Sequence, residues 1–355
     1  MSALFTPLKI RDTEFQNRVW VSPMCQYQAT DGHIGPWHHA HLGAFATGAP
    51  GLIMVEATGV IPEGRISIGC TSIEDDAHAN NFKEIIDFAH SFNVKMGIQL
   101  AHAGRKASTM RPWDDHRMAT KDEGGWQATS SSATPFEGYP IPRALTTDEI
   151  KELTENFVQA AKRAVKVGFD VIEIHAAHGY LFHQFYSPLM NERTDEYGGS
   201  YENRIRFLIE TTKAVRAAIP ATTPLFVRVS ATDWAEGGWD INDSVNLCKE
   251  LKSLGVDLID VSSGGAIHNA KIDAKPNFQV PFADAIRNQA DILTAAVGLI
   301  TEAEQADAII TSNQADAVFL ARAMLRNPRW ALNAAEKLGV KITWPLSLDR
   351  GRALT

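Results

Sequence analysis

Eight short apolar runs alternate with eight helical patterns along the 355 residues, and the runs are nearly continuous rather than alternating in hydrophobicity. Runs of that kind suit strands buried on both faces, as in a parallel sheet covered by helices. No G-x-G-x-x-G follows any of them, which counts against an open doubly wound sheet. Together these observations predict an α/β chain closed as a (β/α)8 TIM barrel, with a loop-rich insertion after strand three.

The strands are expected at 19–22, 51–57, 95–101, 170–175, 225–230, 257–262, 292–298 and 316–321. Helices fit between and after them at about 37–48, 79–92, 147–167, 202–218, 241–254, 280–290, 301–312 and 327–338. The pattern is clearest after Thr146. Thr146 and Glu149 make a capping box, Ile150, Leu153, Phe157, Ala160 and Ala164 recur on one face, and Gly168 stands where a left-handed helix end wants it. The gap between strands three and four is longer than one helix requires. Its first part, 104–145, is rich in Gly, Pro, Ser, Thr and Trp and reads as an excursion over the barrel mouth. With no internal repeat and no linker, residues 1–355 are expected to form a single domain ending in a tail over 339–355.

Composition narrows the function. The apolar fraction is 45%, enough for a sizeable core, and the net charge is −8 without any basic block, so no nucleic-acid partner is expected. Cys25, Cys70 and Cys248 form no C-x-x-C, which argues against an iron–sulfur cluster or zinc ribbon. No apolar run approaches the ~20 residues of a membrane helix, and the first residues lack a signal-peptide layout. A soluble cytoplasmic protein is the expectation.

In such barrels the loops after the strands build the active site, and the polar residues of this chain fall there. Strand one leads into Ser22-Pro23-Met24-Cys25-Gln26-Tyr27, and strand two ends near Ala57. Strand three carries Gln99 and His102, strand four His175, His178 and Tyr180, and strand five Arg228. Strand six ends in Ser262-Ser263-Gly264-Gly265, strand seven at Gly298, and strand eight runs through Ala321 into Arg322. A glycine after strand seven and an arginine opening a helix after strand eight suit a phosphate, and read equally as a tight turn and a surface ion pair.

Two imidazoles and a phenol within six residues can offer hydrogen bonds to a carbonyl and a proton to a carbon. On the residues alone, structural histidines and a packing tyrosine fit as well. A zinc site would need further ligands, and no H-E-x-x-H or cysteine pair is near. A Schiff-base lyase would need a lysine at a strand end, and Lys106 lies too far beyond strand three.

Three blocks carry a resemblance: Pro23-Met24-Cys25-Gln26-Tyr27; Gln99-Leu100-Ala101-His102-Ala103-Gly104-Arg105-Lys106; and His175-Ala176-Ala177-His178-Gly179-Tyr180-Leu181. The last is followed by Ser187-Pro188, Asn191, Arg193, Asp195-Glu196-Tyr197-Gly198-Gly199-Ser200 and Asn203-Arg204. The chain resembles, over nearly its whole length, the Old Yellow Enzyme family of FMN-dependent ene-reductases. Cys25, where other classes carry threonine, places the resemblance closest to the thermophilic-like class.

The resemblance implies FMN, with NADPH or NADH as reductant. Ser22, Pro23, Met24 and Cys25 would line one edge of the flavin, Ala57 and Gln99 would contact the ring, and Arg228 would sit by N1. Ser262, Gly298, Ala321 and Arg322 would hold the ribityl phosphate. The family usually has glycine at the position of Ala321, so a shifted loop is expected there. His175 and His178 would bond the substrate oxygen, hydride would pass from flavin N5 to the β-carbon, Tyr180 would protonate the α-carbon, and Tyr27 would close over the substrate. Reduction of nitro compounds or nitrate esters on the same site is the alternative activity, and a non-catalytic flavin-binding protein a further one. The class also implies a homodimer or homotetramer in which a tail arginine, here Arg350 followed by Gly351, enters the neighbouring active site. Arg352 stands where the family often has an aromatic residue.

Overall fold

A computed structural model of the chain describes residues 2–115 and 117–352; residues 353–355 of the predicted tail lie outside the described residues. Eight parallel strands close into a barrel: β1 (Val19–Val21), β2 (Leu52–Gly59), β3 (Lys95–Ala101), β4 (Val171–Ala176), β5 (Leu225–Ser230), β6 (Leu258–Ser262), β7 (Leu293–Ala296) and β8 (Ala317–Leu320). Closure is by β8 on β1, where Phe319 pairs with Trp20. Each expected strand corresponds to one of these. Strand two runs through Gly59 instead of stopping at Ala57, with a bulge between Val55 and Ala57. Strand seven stops at Ala296, before Gly298 takes a φ of 123°.

The barrel helices are α1 (Pro36–Ala46), α2 (Lys83–His90), α3 (Thr147–Val167), α4 (Tyr201–Ala218), α5 (Ile241–Ser253), α6 (Val280–Ala290), α7 (Ala303–Thr311) and α8 (Trp330–Lys337). In α3 the Thr146 hydroxyl accepts from the Glu149 amide at 3.2 Å, and the Glu149 carboxylate accepts from the Thr146 amide at 2.8 Å. A cap of this kind is worth ~1 kcal/mol. Gly168 closes the helix at φ 110°. The single helix expected over 79–92 is two: Asp75 caps Asp76–Asn81, and the chain turns at Phe82 before α2.

The larger core lies between the strands and the helices, and Ile53, Ile98, Ile172, Phe157 and Leu208 belong to it. A second core fills the foot of the barrel around Trp20, Phe226 and Phe319. An antiparallel hairpin outside the eight expected strands, Leu8–Ile10 with Thr13–Phe15, brings Phe15 to 4.8 Å from Trp20 and plugs that end. The foot is therefore apolar and packed, and the polar residues gather at the opposite end.

The excursion over 104–145 is pinned rather than loose. Arg105 is buried, and its guanidinium donates to the carbonyls of Thr134 at 3.2 Å and Ala266 at 2.7 Å; burial pulls its pKa down to about 10. Gln184 Oε1 accepts from the Arg105 amide at 3.1 Å and the Ser130 hydroxyl at 2.9 Å. At the other end of the chain, Trp344 packs on Ala49 and Leu332. Among the described residues, no helix is long and apolar enough to cross a membrane.

Candidate active site

The turn after β4 carries the chemistry because the backbone there is forced into an uncommon shape. His178 has a φ of 61° and Gly179 one of 70°. A Cβ on Gly179 would lie 2.0 Å from the Gly265 carbonyl oxygen, so the turns after β4 and β6 meet backbone to backbone. The shape is held from behind by a fully buried pair: His183 Nδ1 accepts from the Gly179 amide at 2.9 Å, and Nε2 donates to Asp233 at 2.7 Å.

These constraints aim three rings at one another. The His175 ring centroid lies 5.1 Å from that of His178, and the rings are almost perpendicular at 86°. Tyr180 stands 5.1 Å from His175 and 6.5 Å from His178. His175 Nδ1 accepts from the Ala177 amide at 3.3 Å, which leaves the proton on Nε2. His178 Nε2 lies 2.7 Å from the Ser262 hydroxyl. Burial, reinforced by Arg228, drives both histidines well below the usual imidazole range, so both are neutral near pH 7. Burial, with Cys25 next in effect, pushes the Tyr180 phenol well up and keeps its proton in place.

Cys25, Tyr27 and Tyr180 pack together on a small apolar cluster that includes Ala57 and Cys70. Cys25 is a thiol: the Cys70 side chain beside it, then burial, raise its pKa well above the usual value. Cys25, Glu56 and Cys70 offer ligand atoms within 4.8 Å of one another, and His175 and His178 belong to no such group among the described residues. Tyr27 adopts a φ of 55° and meets Trp113 edge-on at 6.1 Å.

Deeper in the mouth, Gln99 donates to Glu173 at 2.7 Å, and Arg228 Nε is 3.0 Å from Asp260. Gly298, Ala321 and Arg322 line one cleft together with Leu299 and Arg326. Ala321 has a φ of −104°, so the expected conflict with a positive φ does not arise. The Ser262 hydroxyl is turned toward His178 and, at 3.4 Å, toward Gln279. Ser22 is buried, and its amide donates to the Leu320 carbonyl at 3.0 Å. Met24 is half-buried beside it, and Pro23 lies between the two.

This set fits a flavin mononucleotide. A buried guanidinium whose Nε lacks an aligned hydrogen-bond acceptor lies at one end, and a cleft beside a positive-φ glycine with two arginines at the other.

Comparison with known proteins agrees. Residues 3–340 match the model of the NADH:flavin oxidoreductase / NADH oxidase family. An NADPH dehydrogenase of Bacillus velezensis is 47% identical over 350 residues, 98% of each chain. The chain belongs to this family. Morphinone reductase superposes with a TM-score of 0.80 at 28% identity, covering 97% of this chain and 91% of that one. A 2-naphthoyl-CoA reductase, 22% identical with a TM-score of 0.87, shares the fold alone: the alignment covers 94% of this chain and about half, 52%, of that larger one. The chain is thus an FMN-dependent oxidoreductase with a nicotinamide reductant, as the resemblance to the Old Yellow Enzyme family implied.

Two placements, those of His102 and Lys106, depart from what the strand ends suggested. His102 does not join the histidine pair; its Nδ1 accepts from the Gly104 amide at 3.0 Å, and burial lowers its pKa to about 4. Arg350, expected in a neighbouring subunit's site, lies in a segment that packs through Leu348 beside Ala49 and Trp344 near the start of β2. Lys106, set aside as too far beyond strand three, reaches the site. Its Nζ lies 5.2 Å from the Tyr180 ring centroid and donates to the His178 carbonyl at 2.9 Å. Burial, with Arg105 adding to it, lowers its pKa to about 8. The signal for Lys106 was its place in the Gln99–Lys106 block.

Proposed function

We propose that the enzyme is an ene-reductase, reducing activated C=C bonds of α,β-unsaturated carbonyl compounds. The observation that carries this reading is the trio of neutral His175, neutral His178 and protonated Tyr180 at the barrel mouth. FMN, when bound, would supply the hydride, with NADPH, the coenzyme in the name of the bacterial relatives, as its reductant. Ser22, Pro23, Met24, Cys25, Ala57, Gln99 and Arg228 would hold its ring; Ser262, Gly298, Ala321 and Arg322 would hold its phosphate end.

His175 donates from Nε2 to the substrate carbonyl oxygen. His178 does so from Nδ1, with its Nε2 accepting from Ser262. Neutral imidazoles in a buried site stabilise the negative charge that grows on that oxygen without themselves giving up a proton. Tyr180 then delivers its phenolic proton to the α-carbon, and Tyr27 covers the substrate from the side of Trp113. Nitro groups and nitrate esters present similar acceptor oxygens, but their own reduction forms no C–H bond at an α-carbon, so Tyr180 separates the two activities.

The test is an anaerobic titration of the purified protein. Its visible band near ~450 nm should bleach with NADPH and recover when 2-cyclohexenone is added, with cyclohexanone as product. Recovery with nitro compounds alone would favour the other activity.

The enzyme acts in the cytoplasm as a homodimer or homotetramer, with Arg350 entering a neighbouring active site. Arg352 is engaged in its own chain, 2.7 Å from Asp349 and 5.7 Å from the Trp344 ring, whereas Arg350 makes no ion pair among the described residues. An arginine supplied in trans makes activity depend on assembly. Mixing Arg350→Ala chains with Tyr180→Phe chains is expected to restore activity, since one site per mixed dimer then has both groups. No recovery above the parents, with subunit exchange confirmed by mass spectrometry, rejects the trans assignment.

A further inference from the structure

Two acids lie in the middle of barrel strands, Glu173 in β4 and Asp260 in β6, and both are fully buried. The register places each opposite one polar group of the flavin set: Glu173 faces Gln99 across β3 and β4, and Asp260 faces Arg228 across β5 and β6. Gln99 Nε2 donates to Glu173 Oε1 at 2.7 Å. Arg228 Nε lies 3.0 Å from Asp260 Oδ2, but out of line for a hydrogen bond, so the contact is an ion pair. Among the described residues, Glu173 Oε2 and Asp260 Oδ1 have no hydrogen-bond partner.

A barrel built for stability alone would fill these positions with apolar side chains, because buried carboxyls with unmet oxygens are costly. Burial, together with Asp260, pushes Glu173 well above the carboxylate range. Burial also raises Asp260, against the pull of Arg228, to about 6. Near neutral pH the group therefore holds one acid, one carboxylate and one guanidinium. The charges balance, and each acid touches a residue that faces the cofactor.

We propose that Asp260 and Glu173 are positioning residues for the flavin. Asp260 fixes Arg228 and offsets part of its charge, and Glu173 holds the Gln99 amide in one of its two flips, with Oε1 left to accept. The pyrimidine edge of a flavin alternates carbonyl acceptors with an N–H donor, so both the charge and the flip matter. A counter-charge on Arg228 weakens its pull on the anionic reduced ring, so the Asp260 carboxylate keeps the flavin harder to reduce. The inference rests on the reading that this edge lies against Gln99 and Arg228.

The test uses the holoenzyme, with the two-electron potential measured by dye equilibration and FMN affinity by fluorescence. Arg228→Ala checks the underlying reading and should lower the potential and weaken FMN binding. Asp260→Asn should raise the potential, shifting the reduction equilibrium by about tenfold, or ~30 mV for a two-electron couple. Glu173→Leu should weaken FMN binding about tenfold, and Glu173→Gln, which copies the neutral acid, should restore it to within about threefold. A potential changed by Arg228→Ala but not by Asp260→Asn overturns the proposal and leaves the site reading intact. Should Asp260→Asn not fold, equal FMN affinities in Glu173→Leu and Glu173→Gln overturn it instead. No effect of Arg228→Ala on either readout removes the site reading, and this inference with it.

Discussion

Tyr180→Phe is expected to slow alkene reduction by ~10²–10⁴-fold while leaving reduction by NADPH nearly unchanged. The asymmetry follows from where the proton is needed. Hydride arriving at the β-carbon leaves an enolate-like oxygen and an α-carbon short of one proton, whereas hydride leaving NADPH requires no acid. The phenol is suited to the task because burial keeps it protonated and its ring is set 5.1 Å from His175. Phenylalanine preserves the packing against Cys25 and Tyr27, so the change isolates the hydroxyl. Stopped-flow traces should show a normal reductive phase and a slowed oxidative one with 2-cyclohexenone. Equal slowing of both phases would reject Tyr180 as the proton donor.

His175→Ala is expected to weaken binding of p-hydroxybenzaldehyde, whose phenolate imitates the enolate oxygen, by roughly 10- to 150-fold. That is the factor for losing one buried, charge-assisted hydrogen bond of ~1.5–3 kcal/mol. His178→Ala should cost a similar factor, because it removes the second hydrogen bond to the same oxygen. Both imidazoles are neutral well below pH 7, so the loss should be nearly constant between pH 6 and pH 8 rather than follow a histidine titration. Titration of the long-wavelength charge-transfer band measures it. Unchanged affinity in both variants would place the oxygen site elsewhere.

The fold is most legible in the amino-acid sequence where one residue type has one local consequence. Thr146, Glu149 and Gly168 predicted both ends of α3 because capping and a left-handed helix end act within a few residues. Continuous apolar runs located the eight strands for the same reason: burial on both faces leaves a local pattern. The Leu8–Ile10 hairpin left none, since three-residue strands carry little periodicity and Phe15 is defined by its contact with Trp20. The break at Phe82 is not legible in the sequence because the apolar pattern continues across it, while the Phe82 amide bonds the Ala79 carbonyl three residues back at 3.1 Å.

The barrel, the residues at its strand ends, and the family to which the motif of His175, His178 and Tyr180 belongs are all legible in the order of the amino acids. Which of those residues meet depends on how the closed barrel and its loops pack. Lys106 reaches Tyr180 because the excursion folds back and is pinned by Arg105 and Gln184, while His102, only a few residues away in the chain, is turned aside by the Gly104 amide. Glu173 and Asp260 are isolated letters in two strands until the register sets them against Gln99 and Arg228. The protonation states depend on burial and on charges brought in from other strands, and neither exists until the barrel closes.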